Sequence, residues 1–125
     1  MTLRLTDDEA EALRRRAQLE SRSMQDVARQ ALDLGFYISF SGILTFKSAQ
    51  DIRDVASWVP LNRLLIETDS PYLAPAPFRG KTNDPSLVPW VAKQLAELKG
   101  VDQVRMGEVA FENTLRLFKK IPALL

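Results

Sequence analysis

The residues best placed to do chemistry are Glu67-Thr68-Asp69-Ser70, which follow the short apolar run Leu64-Leu65-Ile66. Such a run reads as a parallel strand covered on both faces, and the carboxyl end of a parallel strand is where α/β proteins bind ligands and metal ions. Asp69 is open to two readings there: its side chain caps the turn that continues through Ser70-Pro71, or it holds a divalent cation such as Mg²⁺ weakly. Glu67 is either a polar strand-end residue or a member of the site. Arg79-Gly80-Lys81, in the loop beyond, offers two cations that contact a phosphate or stay solvated. Ser39 and Ser41 read as small packing residues, because the sequence supplies no base to activate a hydroxyl. It contains no His and no Cys, which excludes imidazole bases, Ser-His and Cys-His pairs, thiol nucleophiles and metal sites built on imidazole or thiolate. No cofactor is expected beyond weakly held Mg²⁺ at Asp69, and no residue is assigned a catalytic role.

The elements that must position these residues come in two styles. Residues 1–33 contain no Gly, Pro or aromatic residue, whereas all five Gly, all seven Pro, both Trp, both Tyr and all six Phe follow from Gly35 onward. The break suggests two segments of different origin, 1–33 and 34–125. A closed eight-stranded (β/α) barrel takes ~250 residues, so a chain of 125 residues is not a complete barrel enzyme. Seventeen basic against sixteen acidic residues give a net charge of +1, too balanced to predict nucleic-acid binding from bulk charge. Met1 to Thr6 runs into acidic residues with no positive region and apolar stretch behind it, and no apolar run approaches the ~20 residues of a membrane span. A cytoplasmic protein without a membrane partner is the expectation.

In the first segment, Thr2-Leu3-Arg4-Leu5-Thr6 alternates polar and apolar residues as a short strand does. Thr6 and Glu9 form a capping-box pattern for a helix over roughly 7–19, with Ala10, Leu13 and Ala17 on one stripe. Ser23 and Asp26 cap a second helix with Met24, Val27, Ala28, Ala31 and Leu32 inward. About 33 residues bury too little apolar area to stand alone, and two copies pairing their strands antiparallel would close both the sheet edge and the core. These residues resemble a ribbon-helix-helix DNA-binding protein of the antitoxin and repressor type. The resemblance implies that Thr2, Arg4 and Thr6 face the major groove of duplex DNA and that Ser23, with its neighbouring amides, holds backbone phosphate. Arg14-Arg15-Arg16 reads as a solvated helix face.

In the second segment, Phe36 to Phe40 reads as a buried strand. Ser48 and Asp51 open a helix with Ile52, Val55, Ala56 and Val59 inward, ending near Pro60, and Leu64 to Ile66 follows as a parallel strand in a right-handed crossover unit. A Pro-rich loop from Thr68 to Pro85 leads to a helix closed by Gly100 and to a last helix from Asp102 to about Lys119. Trp58 and Trp90 read as core or interface anchors. The runs 35–42 (GFYISFSG), 65–75 (LIETDSPYLAP) and 79–85 (RGKTNDP) together resemble the TatD family of metal-dependent deoxyribonucleases from about Asp33 to Phe118. The resemblance implies the last two strand-helix units of that family's barrel and its closing helices. It also implies a two-metal site using a His-x-His pair, a Glu, two further His and the Asp of the Glu-Thr-Asp-Ser-Pro motif. Only the last has a counterpart here, Asp69, an orphaned remnant of that set.

The expected fold is therefore α/β: an N-terminal strand-helix-helix followed by a partial TIM-type (β/α) barrel with two parallel strands and C-terminal helices. The leading functional reading is a chimera without catalytic activity that binds duplex DNA and dimerises through its first segment. The alternatives are a TatD-type hydrolase competent only when another chain supplies the missing ligands, and a self-associating structural fragment. The homo-oligomer would form through the first strand or through exposed barrel edges. Alternatively, the first segment covers those edges itself.

Overall fold

The computed structural model describes residues 2–3, 6–19 and 23–122. Its elements in chain order are β1 (Thr2–Leu3), α1 (Asp7–Leu19), α2 (Met24–Asp33), β2 (Tyr37–Phe40), α3 (Gln50–Trp58), β3 (Leu64–Ile66), α4 (Val88–Lys99) and α5 (Gln103–Leu117), with short 3₁₀ turns at Gly42–Thr45, Leu61–Arg63 and Pro85–Leu87.

Local hydrogen bonds explain most of these boundaries. The Glu9 amide donates to Thr6 Oγ1 at 3.1 Å, and Asp7, Asp8 and Glu9 sit at the positive end of α1. Ser23 and Asp26 make the full reciprocal capping box on α2, with the Asp26 amide donating to Ser23 Oγ at 3.1 Å and the Ser23 amide donating to Asp26 Oδ2 at 3.4 Å. Gly35 turns the chain out of α2 with φ +89°, a region open to glycine at little cost, and the next amide, Phe36, reaches back to Ala31 O at 3.0 Å. Asp102 caps α5 by accepting from the amides of Val104 and Arg105 at 3.0 and 3.3 Å. The start of α3 differs from the sequence expectation. Its N-cap is Ala49 and no side chain caps it, because the tight turn at Phe46–Ala49 buries Ala49 against the core and takes the place a Ser48 cap would need. At the other end of α3, Lys99 Nζ donates to Ser57 O at 3.0 Å and to Val59 O. Burial there lowers the lysine pKa below its ordinary value.

β2 and β3 pair in parallel with Ile38 opposite Leu64 and Phe40 opposite Ile66, and α3 crosses between them. The sheet has a third member. β1 pairs in parallel with β2, Thr2 opposite Tyr37 and Leu3 opposite Ile38, giving the order β1-β2-β3. The expected antiparallel ribbon with a second copy is thus replaced, over Thr2–Leu3, by a parallel pairing within the chain that gives the otherwise open edge of β2 a partner. Arg4 and Leu5 lie outside the described residues, as do the side chains of Leu13 and Ala17. One continuous core runs from Ala28 on α2 through Phe40, Leu44, Leu64 and Leu95 to Met106. Arg14 and Arg15 are exposed, as a solvated face requires; the Arg14 guanidinium also meets Asp51 on α3 at 3.6 Å, and Arg15 pairs along its own helix with Glu11 at 3.8 Å. The first segment covers the second, the arrangement expected as the alternative to a ribbon. Among the described residues no helix is long and apolar enough to cross a membrane.

Candidate functional site

Asp69 stands three residues beyond β3, at the carboxyl end of the parallel strands. The ladder persists one residue past the strand, where the Glu67 amide donates to Phe40 O at 2.9 Å. The turn that follows is closed by the Tyr72 amide donating to Asp69 O at 2.9 Å. Its side-chain cap is Thr68, whose Oγ1 accepts from the Ser70 amide at 3.2 Å and shares a hydrogen bond with Ser70 Oγ. The expectation that Asp69 caps this turn is therefore corrected: its Oδ2 is buried and, among the described residues, has no hydrogen-bond partner.

The loop bearing Asp69 is clasped from two directions. Asn83, 4% exposed, receives nothing at Oδ1 among the described residues, but its backbone amide donates to Pro71 O and its Nδ2 to Tyr72 O, both at 2.9 Å. From the other side, Thr45 Oγ1 donates to Gly42 O at 2.7 Å and accepts from the Ala76 amide at 2.8 Å. The approach is so close that a Cβ at Gly42 would lie 2.3 Å from Leu73 O, which explains glycine at this position.

A depression of about 430 Å³ opens beside Asp69, walled by Thr6, Asp7 and Asp8 from the start of α1 and by Asp69, Ser70 and Tyr72 from the loop. The sequence reading missed Asp7 and Asp8 as neighbours of Asp69, and no local signal reveals a contact across sixty residues. Thr6, expected on a DNA-facing ribbon, stands at this depression. Ser23 is engaged in capping α2, Thr2 lies in β1 beside Tyr37, and Arg4 lies outside the described residues. Arg79 and Lys81 do not line the depression; the Arg79 guanidinium sits 3.7 Å from the centroid of the Phe46 ring, and Lys81 is exposed. Ser41 is buried and Ser39 half-buried, in keeping with packing roles. Trp58 lies under Arg29 at 4.3 Å, and Trp90 meets Phe78 edge-on at 5.3 Å.

A two-metal hydrolytic centre does not fit these residues alone. Asp7, Asp8 and Asp69 share a depression, but among the described residues no group of three His, Cys, Asp or Glu side chains converges to hold a metal ion. The sequence contains no His to add. What the site offers, among the described residues, is the buried Oδ2 of Asp69 at a strand end, with the exposed residues Asp7 and Asp8 across the depression.

Known proteins share this architecture. The family model described as TatD related DNase matches residues 20–119. The chain is 56% identical over 94 residues to YcfH of Escherichia coli K12, an uncharacterized metal-dependent hydrolase, covering 75% of this chain and 36% of that protein. It is 48% identical over 94 residues to YabD of Bacillus subtilis 168, likewise an uncharacterized metal-dependent hydrolase, covering 75% and 37% respectively. The crystal structure of YjjV, a TatD homologue from Escherichia coli K12, superposes with a TM-score of 0.72 at 28% identity, over 97% of this chain and 49% of that one. This chain therefore spans a little over a third of the length of these curated relatives and about half of the solved one. Both the family match and the superposition reach into the first segment.

Proposed function

This chain belongs to the TatD-related DNase family, and from that premise we propose that it contributes one carboxylate, Asp69, to a metal-dependent site hydrolysing DNA phosphodiesters and does not complete that site with its own residues. The observation that carries the reading is the buried, unpartnered Oδ2 of Asp69 at the carboxyl end of β3. Burying a carboxylate oxygen without a donor is costly, and a cation held there offsets that cost. A divalent ion needs several ligands to be held and to make a bound water nucleophilic near neutral pH. Asp69, with Asp7 and Asp8 too far apart to converge with it and no imidazole in the sequence, supplies too few, so the remaining ligands come from another chain. Assembling copies of this chain adds no His, because each copy lacks it.

A Mn²⁺ titration of the chain, read by paramagnetic relaxation of water protons, tests this directly. The expected binding is weak, on the order of millimolar, and lost in Asp69→Asn while the thermal unfolding profile keeps its shape. Tight micromolar binding by the chain alone, or weak binding that survives Asp69→Asn, would overturn the reading.

A further inference from the structure

A cavity of about 80 Å³ lies between α1, α2, β2 and α3. Most of its wall is apolar: Ala28, Phe40 and Val55 are buried around it, and α1 contributes Ala10. Protein interiors leave few voids larger than a water molecule, and one larger side chain at position 10 or 28 would fill this one. Both positions hold alanine.

Two polar side chains line the same space. Ser41 is 9% exposed, and its hydroxyl makes no bond to the 3₁₀ turn that it opens. Arg14 is the one exposed residue among the described residues of the lining, which puts the mouth beside its guanidinium. That guanidinium faces Asp51 at 3.6 Å, a distance at which the charges attract without a hydrogen bond. Among the described residues its N–H groups therefore keep donors for a closer acceptor.

We propose that this cavity binds a short-chain aliphatic carboxylate, with the alkyl chain in the apolar space and the carboxylate at the mouth on Arg14. An apolar cavity with a few placed polar groups is the usual form of a small-molecule site. A cavity of ~150 Å³ accepts benzene, so about half that volume takes roughly three or four carbon atoms. A carboxylate is the head group that a guanidinium pairs with best, and its second oxygen can accept from the Ser41 hydroxyl. A neutral or cationic head gains nothing from Arg14, and a wholly apolar guest leaves the buried hydroxyl unanswered. Asp51 competes with the ligand for Arg14, which keeps the binding weak.

Titration of the full chain with pentanoate, followed by NMR of the Val55 methyl groups, tests this. The expected dissociation constant is on the order of millimolar, and acetate, which lacks the chain, binds about tenfold more weakly or worse. Ala10→Leu fills the space and loses pentanoate binding while melting no earlier than the parent. Arg14→Gln weakens pentanoate about three- to fivefold and Asp51→Asn tightens it by a similar factor. The neutral probe 1-pentanol, with the same chain, binds the parent and these two charge variants alike. Methyl resonances that do not move by about 50 mM pentanoate, pentanoate binding that survives Ala10→Leu, or an Arg14→Gln loss shared by 1-pentanol would each overturn the proposal. Acetate binding as tightly as pentanoate would also overturn it, and would leave an adventitious ion only on Arg14.

Discussion

Asp69 and Asp84 lie on the same long loop and differ in what surrounds the carboxylate. Asp84 accepts from Ser86 Oγ and, at 2.8 Å, from the Ser86 amide, and these bonds hold its pKa below the ordinary aspartate value. A folded pKa below the unfolded one means that the contribution to stability is present above the ordinary value and is lost as pH falls through the lower folded value. An NMR titration of the side-chain carboxyl should therefore place the Asp84 midpoint below that of an unperturbed aspartate, and Ser86→Ala should move it up; an unmoved midpoint would contradict the assignment. Gly42 gives a second prediction at this scale. Because a Cβ there meets the Leu73 carbonyl at 2.3 Å, Gly42→Ala should cost about 1–3 kcal/mol by pushing away the segment that follows Asp69, and a thermal melt equal to that of the parent would show that the loop yields freely. The Asp69 motif itself was legible in the sequence, since strand-end carboxylates follow from an apolar run and its boundary. Its unpartnered oxygen was not, because Thr68 and Asp69 compete for the same turn and composition does not say which side chain takes it.

At the scale of elements, the helix starts read from residues three apart hold for Thr6 with Glu9 and for Ser23 with Asp26 and fail for Ser48 with Asp51. The parts that the sequence hid depend on distant chain. β1 is two residues long and pairs with a strand thirty-five positions later, a partner that its local sequence does not reveal. Asn113 was overlooked although it falls on the inward stripe with Met106, Val109 and Ala110, and a polar residue on such a stripe signals a buried hydrogen-bonding role. It is 1% exposed. Its Nδ2 donates to Leu61 O and Leu64 O, both at 2.8 Å, and its Oδ1 accepts from Arg116 at 3.0 Å, fixing α5 to the start of the strand that leads to Asp69. Asn113→Ala takes the amide donor from one buried and one part-buried carbonyl and should destabilise the protein by about 2–4 kcal/mol, measurable by urea unfolding. A loss under about 0.5 kcal/mol would mean that water replaces the amide without cost.

For the molecule as a whole, the compositional break near Gly35 is visible in the sequence, but it does not divide the core. Ala28 of α2 belongs to the same continuous core cluster as residues of β2, β3, α3, α4 and α5, and Arg29 of α2 lies over Trp58 of α3. Unfolding followed by tryptophan fluorescence and by far-ultraviolet circular dichroism should accordingly give coincident single transitions; an earlier loss of helix signal would show the first segment melting by itself. The partial span of longer relatives bears on chemistry more than on folding. The chain matches the TatD related DNase family over residues 20–119, carries Asp69 three residues past β3, and contains no imidazole.

Cleavage of supercoiled plasmid DNA by the purified chain, with Mg²⁺, Mn²⁺ or Zn²⁺ supplied in turn, asks whether one carboxylate suffices. The expected result is no nicking above the metal-only control, with Asp69→Ala indistinguishable from the parent chain. Sustained, metal-dependent nicking that disappears in Asp69→Ala would contradict it.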